Sequence, residues 1–214
     1  MRFDRRFTPL VVVLVLSLGP VELVGARWLE TLIRAGTLAA AAYALGRGRR
    51  SRVGALLLLG PILAVQALDL GFSSETSALA SLALALLFLV WVLGVVVAEV
   101  LVARRVDPDV LMGGIAIYLL FGHIFGMLFV LIEAIDPGSF ANLDPTPLAV
   151  ERLQYFSFVT LTSLGYGDVA PLSLLARKAV VVEAVLGQVY LTVFVGRLVG
   201  YSFPEAERGQ GASD

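Results

Sequence analysis

The chain has 214 residues, of which 58% are hydrophobic and 15% are charged, and its mean hydropathy is +0.90. These values exclude a soluble globular protein of ordinary composition and indicate an integral membrane protein. The formal net charge of −1 says little, because membrane topology depends on where the basic residues lie. The absence of cysteine excludes disulfides, thiol redox chemistry and cysteine metal sites.

A membrane-spanning helix needs about 20 mainly apolar residues, and the sequence offers six such stretches. They run from Phe7 to Val24, Trp28 to Leu45, Val53 to Leu70, Ser77 to Val102, Leu111 to Ile135 and Leu172 to Tyr201. We therefore predict an all-α integral membrane protein. Basic residues precede the first stretch, as in a signal peptide, and Val24-Gly25-Ala26 leaves cleavage open. No cleavage site of the usual spacing follows clearly, so we expect the first helix to be retained.

The arginines set the orientation of the chain in the membrane. If the N-terminus is cytoplasmic, most of them lie on the inner side, as the positive-inside rule requires. These are Arg2, Arg5, Arg6, Arg47, Arg49, Arg50, Arg52, Arg104, Arg105, Arg197 and Arg208. We expect a multi-pass protein of the cell membrane with both termini cytoplasmic.

Residues 1–106 form the first predicted domain, a bundle of four transmembrane helices. Its fourth stretch, Ser77 to Val102, contains no Lys or Arg. Moving one charge through 100 mV is worth about 2.3 kcal/mol, so steep voltage gating needs several charges that this helix lacks. Membrane lipids are the expected partners of this domain, because arginines 47, 49, 50 and 52 can contact anionic headgroups at about 1 kcal/mol each.

Residues 107–214 form the second predicted domain, in which an outer helix at 111–135 and an inner helix at 172–201 flank a loop. The segment 136–147 is rich in turn residues. Thr146 and Pro147 are typical of an N-cap and a first helical residue, so we predict a short helix over 147–161. The partial negative charge at its C-terminus would favour a cation.

The six residues Ser-Leu-Gly-Tyr-Gly-Asp at 163–168 follow that short helix, and they resemble the selectivity-filter signature of potassium channels. A potassium ion needs its hydration shell replaced by oxygen atoms, which successive carbonyls of an extended backbone can supply. Such a backbone needs partly left-handed dihedrals, which Gly165 and Gly167 adopt without a Cβ penalty. The family usually has threonine and valine where Ser163 and Leu164 stand.

The resemblance implies an ion-binding selectivity filter at 163–167, which ends at Gly167, with potassium bound by the carbonyls of Ser163, Leu164, Gly165 and Tyr166. It also implies that the Ser163 hydroxyl adds a ligand at the inner end and that the Tyr166 ring packs behind the filter. The short helix becomes a re-entrant pore helix. Because one loop supplies one quarter of a filter ring, the expected assembly is a homotetramer of identical subunits. Residues 1–106 then resemble a voltage-sensor-like bundle without gating charges.

The resemblance extends into the inner helix, with Asp168 at the outer mouth of the pore. We interpret Gly187 as a hinge, with close helix packing as the alternative. Beyond it, residues at helical spacing are expected to line the cavity, and these are Gln188, Leu191, Val195 and Val199. An interhelical hydrogen bond is the alternative role for Gln188.

Three further positions concern polar groups inside the membrane. His123 is expected to be a hydrogen-bonded interior residue. Glu183 should find a partner, with Ser157 and Thr160 as candidates, because a carboxylate inside a spanning helix is costly. Many potassium channels pair a glutamate of the pore helix with the outer-mouth aspartate, but Val159 stands at that position here. Asp168 is therefore expected to be held in another way.

Together these features predict a potassium-selective channel that conducts passively and is not an enzyme. Potassium ions in the filter are the expected bound species, with no other cofactor, no nucleic-acid partner and no soluble ligand-binding domain after Tyr201. A nonselective cation channel and a subunit of a potassium transport system are the alternatives. A membrane enzyme is a poorer one, because no metal cluster or nucleophile with an adjacent base is visible in the sequence.

Overall fold

The computed structural model describes residues 6–18, 36, 40, 75–103, 107–143 and 149–202. Its helices are α1 Thr8–Leu16, α2 Glu75–Val102, α3 Pro108–Ile135, α4 Ala149–Leu161 and α5 Leu174–Ser202, and its short strands are β1 Phe140–Ala141 and β2 Ala170–Pro171. The predicted spans Trp28 to Leu45 and Val53 to Leu70 lie outside the described residues, except for Gly36 and Ala40, which are helical. The arginines at 47, 49, 50 and 52 also lie outside them.

Three helices of the described part are long and apolar enough to cross a membrane: Leu79–Val102, Pro108–Ile135 and Leu174–Gly200. They coincide with the fourth, fifth and sixth stretches of the sequence prediction. The first stretch differs, because α1 ends at Leu16 and not at Val24. The Ser17 hydroxyl donates to the Leu14 carbonyl at 2.8 Å, and residues 19–24 of the predicted stretch lie outside the described residues.

Side-chain caps explain where α3 and α5 begin. Asp107 accepts a hydrogen bond from the Val110 N–H at 2.8 Å, and Pro108 follows at the first helical position, so α3 starts before the predicted Leu111. The inner helix starts after the predicted Leu172. The Leu172 N–H donates to the Ser139 carbonyl at 2.7 Å, and Ser173 caps α5 by accepting from the Ala176 N–H at 3.2 Å.

Helices α1, α2 and α3 share one apolar core, in which Leu10, Phe88, Val92 and Leu120 are fully buried. Arg197 of α5 joins this group of helices at one end. Its guanidinium donates to the carbonyls of Val100 and Ala103, each at 2.7 Å, at the C-terminus of α2. Because the last turn of α2 contains no basic residue, Arg197 supplies the positive charge that a helix C-terminus favours.

A second core of mainly aromatic side chains supports α4. Phe129 of α3 lies 5.3 Å from Phe140 of β1 and 5.6 Å from Phe156 of α4, measured between ring centroids. The antiparallel pair of β1 and β2 aligns Phe140 with Pro171 and ties the α3–α4 connection to the start of the inner helix. These contacts fix both ends of the segment between α4 and α5.

Helix α5 is poorly covered by the rest of its chain. Only 11% of its most apolar window is buried, against 56% for α3. A membrane helix that is apolar on all sides and covered on one side needs lipid or further protein on the others. The uncovered surface of α5 includes Val181, Val185, Val189 and Val193, each more than half exposed.

Candidate functional site

The backbone turns sharply where α4 ends and the predicted filter begins. Ser163 has φ of 60°, and its N–H donates to the Thr160 carbonyl, while the Leu164 N–H donates to the Val159 carbonyl, both at 2.9 Å. This pair of bonds is a Schellman motif, in which the residue after the helix is left-handed and is usually glycine. Serine in that conformation costs about 1–2 kcal/mol, and no residue pattern in the sequence indicates the motif.

Every second residue of the predicted filter is left-handed. After Ser163 at 60°, Gly165 has φ of 59° and Gly167 has φ of 77°, whereas Leu164 and Tyr166 do not have positive φ. The left-handed conformation of the two glycines agrees with the sequence prediction for them. Alternation of this kind turns successive carbonyls toward the same side of an extended segment, which is the arrangement that dehydrated cations require.

Residues 162–168 are exposed to the surroundings of the single chain. The Tyr166 ring, which the sequence placed behind the filter, is 66% exposed. The single chain therefore covers little of this ring, and its packing behind the filter stays a prediction. A neighbouring molecule would have to supply the surface against which Tyr166 packs.

Asp168 is held at the outer end by residues that the sequence did not indicate. The Asn142 side-chain amide donates to the Asp168 carbonyl at 3.1 Å, and the Tyr155 phenol interacts electrostatically with the Asp168 side chain. Desolvation first, and then the nearby Asp168 carboxylate, raise the pKa of Tyr155. Tyr155 lies four residues before the buried Val159, one helical turn along α4. A phenol therefore takes the place of the glutamate that the family pattern would supply.

The inner end of the segment is tied to α5 by one side-chain hydrogen bond. The Gln188 amide nitrogen donates to the Ser163 hydroxyl oxygen at 2.7 Å. Gln188 therefore makes an interhelical bond, the alternative that the sequence left open, directly beneath the segment predicted to bind ions. Leu191, Val195 and Val199 continue from Gln188 along one side of α5 at helical spacing, and the two valines are about half exposed.

Gly187 is buried where α5 crosses the end of α4. A Cβ at this position would lie 2.8 Å from Leu161 Cδ1 and 2.9 Å from the Leu161 carbonyl oxygen. The Tyr118 phenol donates to the same carbonyl at 3.1 Å. The geometry is that of close helix packing, and a hinge at Gly187 stays a prediction.

A buried polar cluster lies behind α4. The Ser157 hydroxyl is hydrogen-bonded to Glu183 Oε1 and, at 2.8 Å, to the Gly122 carbonyl of α3. Gln154 donates to the same carbonyl at 3.0 Å. Ser157 and Glu183 are completely buried, so Ser157, one of two candidates from the sequence, is the partner of Glu183.

His123 lies in the apolar core on the other side of α3. Its Nε2 is 3.1 Å from the Leu14 carbonyl and 3.1 Å from the Ser17 hydroxyl. The prediction of a hydrogen-bonded interior histidine is confirmed. Gly122, next to it, leaves room for the Phe158 ring, which a Cβ at this position would overlap. Within the described ranges, no group of three or more His, Asp or Glu side chains is arranged to hold a metal ion.

Comparison with known proteins agrees with this geometry for the C-terminal part of the chain. Residues 113–202, which contain most of α3, all of α4 and α5 and the segment between them, match a family model described as Ion channel. No curated protein matches the chain, and no solved structure matches it. The family match and the apolar helices support a membrane protein that conducts ions passively and is not an enzyme. The C-terminal part of this chain is thus similar to the ion channel family.

Proposed function

We propose that the chain is one subunit of a homotetrameric potassium-selective channel of the cell membrane, with residues 163–167 as its filter. The observation that carries the proposal is the alternation of left-handed residues at Ser163, Gly165 and Gly167, held between the end of α4 and Asp168. Each subunit contributes the carbonyls of residues 163–166 to a ring of potassium sites. The Ion channel match at 113–202 supports a pore in this part of the chain.

The surface of α5 supports the tetramer. Apolar residues cover this helix on all sides, yet its own chain buries only a small part of it. In a ring of four subunits the side with Gln188, Val195 and Val199 faces the common cavity and other sides contact neighbouring subunits. The exposed Tyr166 ring then packs against a neighbour and acts as a spacer for the filter.

A nonselective cation channel is the second candidate, and one contact favours it. The Ser163 hydroxyl oxygen accepts a hydrogen bond from Gln188, so it offers fewer lone pairs to an ion at the innermost site. Selectivity among cations depends on the number and the field of the coordinating oxygens. The two candidates differ in one measurable ratio, which is potassium flux relative to sodium flux.

The test is ion flux through the purified full-length chain in liposomes with opposed potassium and sodium gradients. We expect a reversal potential that follows the potassium gradient and rubidium flux that far exceeds sodium flux. Equal potassium and sodium flux would favour the nonselective channel, and no flux of either ion would refute a channel. Gly165→Ala should abolish selective flux because φ of 59° is strained for alanine. Gly138→Ala is the matched control, since Gly138 also has positive φ but lies outside the filter.

A further inference from the structure

Glu183 is a fully buried carboxyl in the middle of α5, and among the described residues no basic side chain contributes to the shift of its charge state. Oε1 is hydrogen-bonded to Ser157 of α4, and Oε2 is buried without a hydrogen-bond partner. Tyr118 of α3 is the titratable side chain that acts electrostatically with Glu183 from that helix, and its phenol hydrogen goes to the Leu161 carbonyl. The ion pairs of Arg6 are made with Glu99 and Asp109 and not with Glu183.

The number of hydrogen atoms in this cluster determines which group donates in each hydrogen bond. A serine hydroxyl carries a single hydrogen. The Ser157 hydroxyl lies 2.8 Å from the Gly122 carbonyl, which can only accept, so the serine hydrogen points there. The contact between Ser157 and Glu183 then needs a hydrogen of its own, and Glu183 is the only one of the two that can bring it. A carboxylate at this position would leave two oxygens facing each other with no hydrogen between them.

The unpartnered Oε2 leads to the same conclusion independently. A buried carboxylate oxygen without a partner is very costly, whereas the carbonyl oxygen of a neutral acid resembles the oxygen of an ester or amide and costs far less. With the proton on Oε1, the partnerless oxygen is the carbonyl. Both observations therefore assign the same protonation state.

We propose that Glu183 is a neutral carboxylic acid that positions the pore helix: it donates to Ser157, which in turn donates to Gly122. This inference rests on the proposed channel function, since it makes the proton on Glu183 a condition for the filter geometry. The chain of bonds joins α5, α4 and α3 at one level, six residues before Ser163. Loss of the proton at alkaline pH forces the Ser157 hydrogen toward the carboxylate, takes it from the Gly122 carbonyl and buries a charge.

The central variant is Glu183→Gln, whose side-chain amide donates to Ser157 as a neutral acid does but cannot lose that hydrogen. In liposomes, wild-type potassium flux should fall severalfold as the pH rises from neutral to alkaline. Glu183→Gln should keep near-wild-type flux at neutral pH and lose the alkaline fall, whereas Glu183→Ala should lose most of the flux at every pH. Glu151→Gln, which removes a carboxyl from the first turn of the pore helix, should keep the wild-type pH profile.

An infrared measurement provides a readout that does not depend on conduction. At neutral pH the wild-type protein and Glu151→Gln should show the carbonyl stretch of a protonated carboxyl, and Glu183→Gln should lack it. If the band persists in Glu183→Gln, or if that variant loses flux as Glu183→Ala does, the inference is wrong. If the wild-type chain passes no ions but the band depends on Glu183, the protonation assignment holds and the channel proposal alone fails.

Discussion

Gly187 and Gly196 lie on the same helix, but Gly187 is packed against α4 and Gly196 has open space beside it. Replacing each with alanine therefore separates the effect of close packing on stability from the effect of helix propensity. A Cβ at Gly187 would lie 2.9 Å from the Leu161 carbonyl oxygen and 2.8 Å from Leu161 Cδ1, whereas a Cβ at Gly196 meets nothing within 4 Å in the chain. Ordinary Cβ contacts begin at 3.4 Å, so α5 must move away from the end of α4 by about half an ångström in Gly187→Ala.

The expected magnitude follows from two opposing effects. Alanine in place of glycine inside a helix stabilises by about 1 kcal/mol in both variants, while overpacking at a rigid backbone contact costs about 1–3 kcal/mol at Gly187 alone. The difference between the variants therefore reports the contact with Leu161. For a chain of this size, 1 kcal/mol corresponds to about 2–4 °C in Tm. We expect Gly187→Ala to melt several degrees below Gly196→Ala.

The assay is thermal unfolding of the purified protein in detergent, followed by potassium flux of the same samples in liposomes. Gly94→Ala on α2 is a second control, because a Cβ at that position also meets nothing within 4 Å. Equal Tm values for the Gly187 and Gly196 variants would refute the packing argument. An unchanged Tm together with reduced channel opening in Gly187→Ala would instead identify Gly187 as a hinge.

Three further predictions concern the filter and its gating. Tyr155→Phe removes the phenol hydroxyl that interacts with Asp168, so it should loosen the outer mouth and speed the loss of conduction during sustained opening. Since the pKa of Tyr155 is raised, its phenol stays protonated throughout the mildly alkaline range, and the Tyr155→Phe effect should not change there. Ser163→Ala and Gln188→Leu break the same hydrogen bond, so each should alter block by internal barium and the double variant should behave as either single one does; additive effects would contradict the contact. Finally, Glu75–Val102 contains no basic residue, so conductance should vary weakly with voltage, and a steep curve worth several gating charges would refute this.

The long helices could be predicted from the sequence because the membrane sets a single requirement, a run of apolar residues of sufficient length. Helices α2, α3 and α5 satisfy it and coincide with predicted stretches. Their exact first residues depend on single caps. Asp107 and Ser173 cap α3 and α5. Both are polar residues at the edges of apolar runs, so hydropathy alone does not indicate that a helix begins beside them.

The filter backbone was predictable at its glycines and not at Ser163. The glycines at positions 165 and 167 indicate a positive φ, because only glycine adopts such a φ freely. Ser163 adopts it because the end of α4 closes in a Schellman motif, which the sequence does not mark with its usual glycine. The partners of Asp168 were also missed. Asn142 lies 26 residues away in the chain, and only the pairing of β1 with β2 brings it close.

Arg197 has a mechanical consequence for the inner end of α5. Its guanidinium donates to the carbonyls of Val100 and Ala103 at the same time. Two such charge-assisted hydrogen bonds restrict the orientation of the guanidinium as well as its distance from α2. If α5 slid along its axis by one residue, about 1.5 Å, the Arg197 side chain would have to change its conformation to keep both bonds. Arg197 therefore ties the C-terminal part of α5 to the C-terminus of α2. In the proposed channel, an outward movement of this end of α5 would either carry the end of α2 with it or break these two bonds.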